Sequence, residues 1–161
     1  MFANEIAVNQ FQLGLFHKIL ADLPREKFFV PGAGHGHPPV WIMGHLALVA
    51  EFGHKMLGGD FLHPEWLPLF GPGSGNDVPR DFPLDQTDLG DVLVHSYLKL
   101  QEMASTANSQ LTSLPTDIAL FAGTPIITVG HCVTLLLTNH FGFHLAQLSS
   151  CRREAGLGPL F

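Results

Sequence analysis

Charge is what this sequence is shortest of. Only 14% of its 161 residues are Asp, Glu, Lys or Arg, against about 25% in an average soluble protein. Lys and Arg number eight, are nowhere gathered into a run, and leave a net charge of -6. A nucleic-acid surface needs clustered cations to neutralise phosphates, so that class of partner is excluded. So few charges also leave little to cover a small domain, which points to apolar surface hidden in a homodimer.

Cysteine is scarce too, with Cys132 and Cys151 alone. If both lie on one helix, their separation of 19 positions spans about 28 Å. A disulfide tolerates Cα distances of at most about 7 Å, so the two are read as free thiols of a reducing, cytoplasmic setting. Long hydrophobic runs are also missing. The best candidates, residues 39–52 and 129–148, are interrupted by His45 and Glu51 and by His131, Asn139, His140, His144 and Gln147. A membrane-spanning helix wants about 20 mostly apolar residues, and neither stretch meets that. The opening MFANEIAVNQFQ has no basic segment followed by an apolar block, so no signal peptide is read there. Sustained period-two alternation, the mark of a half-buried strand, occurs nowhere.

What is present suits a folded core: 46% hydrophobic residues, 13 Phe and 2 Trp. The chain reads as one domain over residues 1–161, long enough to bury about 70% of its unfolded surface. Four stretches carry helical periodicity. The first covers residues 3–22, with Ile6, Leu13, Phe16 and Leu20 recurring and Pro24 as its stop. The second opens at Pro38 or Pro39 and closes at Gly58-Gly59, following the preference for proline in the first turn and glycine past the last. The third is capped by Asp85 or Thr87 and reaches about residue 110. The fourth is read as starting at Thr124-Pro125 and running to about residue 155, closed by Gly156. Residues 59–84, rich in Gly and Pro, are connection. The expectation is an all-α four-helix bundle with a long crossover between helices 2 and 3.

Ten histidines outnumber Lys plus Arg. His140 and His144 form an H-x-x-x-H pair, and four residues advance a helix by about 400°, so both rings leave one face. With ten histidines in the chain, one such pair is unsurprising, and spacing alone proves nothing. Placement says more. On a regular wheel His140 and His144 share a face with Val133, Leu136, Leu137, Phe143, Gln147 and Cys151. His45 lies with Trp41, Ile42, Leu48, Val49 and Phe52 on helix 2. Three rings on apolar stripes must find partners, since burying an unpaired polar group is costly. One divalent cation would satisfy all three; so would separate bonds to backbone or water, and the residues by themselves leave both open.

The other candidates read differently. His35 and His37, in a Gly/Pro loop, are taken as solvated. His54 lies opposite His45 on its wheel and His131 away from His140, so neither can share the ion. His17 and His95 are read as core or surface histidines. Cys151 shares the ligand face but sits about 10 Å along the axis from His144, and is read as a small buried thiol. Arg152 and Arg153 complement the dipole at a helix end.

The two segments WIMGHL (41–46) and NHFGFHLAQLSSCRREAGL (139–157), in this order and separation, resemble the DinB/YfiT-like family of bacterial four-helix metalloproteins. Its usual pattern is aromatic-x-x-G-H-L on helix 2 and H-x-x-Y-H-x-G-Q-L on helix 4. The resemblance spans nearly the whole chain. It implies that His45, His140 and His144 are ligands of a divalent metal, zinc or nickel, with Gln147 either orienting a ligand ring or hydrogen-bonding within the core. Phe143 stands where the family often has tyrosine, removing any role for that hydroxyl, and Ala146 replaces the usual glycine. Three imidazoles would leave the ion its full charge and an open position, the catalytic rather than the structural form. Phe141 and Gly142 stand where an H-E-x-x-H peptidase carries its base, which argues against peptide hydrolysis. Related members are S-transferases or isomerases using low-molecular-weight bacterial thiols. The resemblance therefore implies a metal-dependent enzyme joining such a thiol to a small electrophile; a non-catalytic metal-binding or stress-associated bundle and a metal-free histidine core are the alternatives.

Overall fold

The computed structural model describes residues 1–160, and Phe161 lies outside them. The described chain is all-helical, with no strand and one isolated bridge between Pro115 and Thr128. Its first two long elements are α1 (Ala3–Asp22) and α2 (Pro39–Met56). The connection after α2 carries the single turn α3 (Leu67–Phe70) and leads to α4 (Gln86–Thr106). The one-turn α5 (Ser109–Thr112) follows, and then a continuous helical stretch made of α6 (Val129–Leu135), a π-helical turn (Leu136–His140) and α7 (Phe141–Glu154). Among the described residues no helix is long and apolar enough to cross a membrane.

Local chemistry explains most boundaries. Asp85 caps α4, its carboxylate accepting from the backbone N–H groups of Thr87 and Asp88. Past α2 the chain turns at Gly58, whose φ of 84° is open to glycine at no steric cost. Two expected ends are corrected. The third long helix stops at Thr106 rather than near residue 110, because Asn108 turns its side chain onto Leu111 N–H and starts α5 instead; such local bonds compete with helix continuation. The last helix begins after Thr128, not at Thr124-Pro125. Residues 124–127 are held out of the helix by the Pro115–Thr128 bridge, with Thr116 N–H donating to Ile127 and Val129 N–H to Leu114. Thr128 then caps α6 through His131 N–H.

α1 and α2 each pack on both α4 and α7, so the four long segments close in the order α1, α4, α2, α7. The chain neighbours α1 and α2 thus lie across a diagonal, which the 57–85 connection permits. α2 is the central helix, buried on every side from Pro39 to Glu51, as expected of a helix apolar all round. Its outer face is covered by the connection that follows it, chiefly through Trp66 and Phe70.

The π-helical turn matters most for placing the site. One extra residue in a turn displaces everything after it by about 100° on the wheel. Through α6 and the start of the turn the buried positions are Val129, Cys132, Val133, Leu136 and Leu137; after the turn they are Phe141, His144, Leu145, Leu148, Cys151 and Arg152. A regular wheel predicts a buried stripe through Phe143. Instead the stripe moves on by one residue, Phe143 points outward with 64% of its surface exposed, and His140 is left at the core edge. Gln12 stabilises the turn by donating through Nε2 to the Thr138 carbonyl at 3.2 Å.

Candidate metal centre

His45 comes from the middle of α2, His140 from the last position of the π turn and His144 from the first turn of α7. Their rings converge, with centroids 5.2 Å apart for His45–His140, 4.8 Å for His45–His144 and 4.7 Å for His140–His144. One ring nitrogen from each lies within 4.8 Å of the other two, and this is the one group of three or more potential ligands among the described residues. His45 and His144 are buried and His140 half-buried.

Hydrogen bonds orient two of the rings. His45 donates Nδ1–H to the Phe70 carbonyl at 2.7 Å, and His144 donates Nδ1–H to Gln147 Oε1 at 2.7 Å. Each bond places the proton on Nδ1 and leaves the lone pair on Nε2, the arrangement that fixes tautomer and ring direction in metal sites. His140 Nε2 stands 3.3 Å from His45 Nε2, while its Nδ1 is buried without a partner. Two nitrogens each about 2.0–2.1 Å from one tetrahedral ion lie about 3.3 Å apart, so this pair fits a bound ion without rearrangement.

Burial keeps all three rings neutral. It lowers the pKa of His140 to about 4, with the nearby His45 adding to the effect. It lowers that of His144 to about 3, with His140 and His45 contributing, against a smaller upward pull from Gln147. His45 is also shifted down by burial, partly offset by its bond to Phe70. Neutral imidazole is the ligating form, so the donors are ready at neutral pH.

The surroundings include groups that periodicity could not reveal. Trp41 stacks on His45 at 4.7 Å and on His37 at 4.0 Å, and anchors its indole N–H on Ser74 Oγ at 3.0 Å. His37 also bonds to Asn76. His35 lies 3.8 Å from Cys151 Sγ, and both His35 and His37 are half-buried. The expectation of solvated loop histidines is therefore corrected: the loop folds against Trp41 and α7. Gly44 is what lets Phe70 reach His45, since a Cβ there would fall 2.6 Å from the Phe70 ring. The remaining histidines stay apart. His54 donates to Ser96 O, His63 pairs with buried Glu51, and His17, His95 and His131 are exposed. Cys132 and Cys151 are free and buried. Arg152 is more than a dipole partner: buried at 7% exposure, it donates to Asp22 through Nε and Nη2, tying the end of α7 to the end of α1.

Fold and site together define an all-helical protein with a buried three-histidine group able to hold a metal ion. No protein-family model, curated protein or solved structure matches the chain.

Proposed function

We propose that this protein is a metal-dependent enzyme of the DinB/YfiT-like type, a four-helix bundle in which His45, His140 and His144 hold one divalent ion, zinc or nickel. The proposed activity is transfer of a low-molecular-weight bacterial thiol to a small electrophile. The observation that carries the reading is the convergence of three neutral imidazoles, two with Nδ1 held by oxygen acceptors so that Nε2 faces the others.

An ion held there would supply the Lewis acidity that keeps a bound thiol deprotonated at neutral pH. The chain's own residues do the rest. Phe70 and Gln147 hold the rings in one orientation. Trp41 walls one face of His45 and shields it from solvent. Transfer forms a carbon–sulfur bond, breaks the bond from that carbon to its leaving group, and releases the thiol proton and the leaving group to water. The group includes no carboxylate, which suits a reaction needing no general base. The same feature favours the second reading, a non-catalytic metal-binding or stress-associated bundle. Exposed Phe11 and Phe143, each at 64%, support a homodimer in which they are covered.

The test is elemental analysis of protein purified without a metal-affinity column, followed by assays with bacterial thiols and a chloro-dinitroaromatic. Near one metal per chain, lost in His45→Ala together with the thiol-transfer rate, is the expected result. Metal well below one per chain that added Zn²⁺ or Ni²⁺ does not restore would overturn the reading. Full metal with no rate above His45→Ala would leave the non-catalytic bundle.

A further inference from the structure

Beside the three histidines lies a cavity of about 220 Å³. Its walls come from α2 through Val49 and Phe52, from the 113–128 connection through Ile118 and Phe121, and from the π turn through Leu136. His140 is the only nitrogen-bearing side chain on its wall, and no carboxylate, hydroxyl or cation joins it. Protein interiors are close-packed, with few voids larger than a water molecule. An apolar void of this size is a poor place for water, which needs two to four polar partners, and a ready place for hydrocarbon.

We infer that this cavity binds the hydrocarbon part of a small uncharged molecule, a single substituted ring or a short branched chain, with its one polar atom turned toward the three histidines. Size sets the upper limit. A cavity of about 150 Å³ lined by Leu, Ile and Phe accommodates benzene, and on that scale this one takes about nine non-hydrogen atoms. Charge sets the selectivity. A carboxylate or ammonium group inside would meet no counter-charge, only the His140 ring and the Cys132 thiol, so charged ligands are disfavoured. Low-molecular-weight bacterial thiols are polar and charged, so the apolar cavity belongs to the other reactant. The inference rests on the metal reading above only for the polar end of the ligand; the hydrocarbon end depends on the cavity alone.

The test uses calorimetry on the zinc-loaded full chain with a series of straight-chain alkanethiols from two to six carbons and with mercaptoacetate. Affinity is expected to rise about three- to fourfold per methylene until the cavity is full, and mercaptoacetate to bind more weakly than butanethiol. Ile118→Glu, at a half-buried position of the connection, is expected to abolish the chain-length gradient while metal content stays unchanged. Val49→Phe, which fills the cavity from α2, is expected to do the same without adding charge. Equal affinity across the series, or mercaptoacetate binding as tightly as butanethiol, would overturn the inference. A parallel titration of metal-free protein with toluene, followed by methyl NMR shifts, separates the two readings. Saturable shifts confined to Val49, Ile118 and Leu136, and lost in Val49→Phe, support the cavity even if no metal binds. Their absence overturns it even if metal does bind.

Discussion

Replacing Gly44 by alanine is the sharpest probe of how the long connection serves the site. A Cβ at position 44 would lie 2.6 Å from three ring carbons of Phe70. Non-bonded carbons rest about 3.5–4.0 Å apart, so the ring must retreat by about 1 Å. It has nowhere to go alone: it is fully buried, with Trp66 and Phe82 edge-on at 5.5 and 5.3 Å between centroids. The displacement therefore passes to the backbone of α3, and with it to the Phe70 carbonyl that receives His45 Nδ1–H. Overpacking of this kind costs about 1–3 kcal/mol of stability. Losing the partner that orients a ligand ring lowers metal affinity about 10- to 100-fold. Both are measurable: stability by urea denaturation of the metal-free protein, affinity by competition with a chromophoric zinc chelator. Gly14→Ala is the control, because a Cβ there meets nothing within 4 Å, and a gain of about 0.5–1 kcal/mol from helix propensity is expected. Native zinc affinity in a folded Gly44→Ala protein would refute the idea that Phe70 orients His45.

Further outcomes follow from the same geometry. Gln147→Leu is expected to weaken zinc binding about tenfold with little change in fold, since Gln147 is only half-buried and orients His144 from the edge of α7; an unchanged chelator titration would count against that role. Metal-free protein should lose stability as pH falls. Burial holds the folded-state pKa values of His45, His140 and His144 below the ordinary imidazole value of about 6.5, with His140 at about 4 and His144 at about 3, so the unfolded chain binds more protons below about pH 6.5. The contribution is complete above that pH and disappears on acidification toward pH 3; a melting temperature flat from pH 7 to pH 4 would contradict it. Tyr97→Phe removes a fully buried hydroxyl that has no partner, leaving the ring edge-on to Phe141 at 4.6 Å. Stability is expected to be unchanged or raised by up to about 1 kcal/mol, and a loss larger than that in urea denaturation would show that the hydroxyl is satisfied. Asp22→Ala strips the buried Arg152 guanidinium of its carboxylate and should cost about 1–3 kcal/mol, whereas a neutral result would assign the contact no energetic weight.

Much of the helical layout was legible because it rests on local chemistry. Proline at position 39, glycine at 58 and aspartate at 85 act within a turn of themselves, and the boundaries they mark are close to those observed. Thr124-Pro125 misled for the same reason: a good local start was overridden by the bridge between Thr128 and Pro115, which no local pattern announces. The three histidines could be singled out because apolar stripes place them toward the core. Their ring orientations could not, because Phe70 lies 25 positions from His45 in the chain and is brought there by an irregular connection.

By itself, then, the sequence determined the all-helical character and put His45, His140 and His144 on apolar stripes, since both follow from spacing and hydrophobicity along a few turns; that the three act together was implied only by the family resemblance. The tertiary structure decided the rest. The π turn, supported by Gln12 from α1, shifts the buried stripe by one residue and sends Phe143 outward. Gly44 makes room for Phe70, whose carbonyl aims His45. The apolar cavity at His140 exists only where α2, the π turn and the 113–128 connection meet. These features are long-range because each depends on two segments packing against one another, and packing is not written in the spacing of either segment alone.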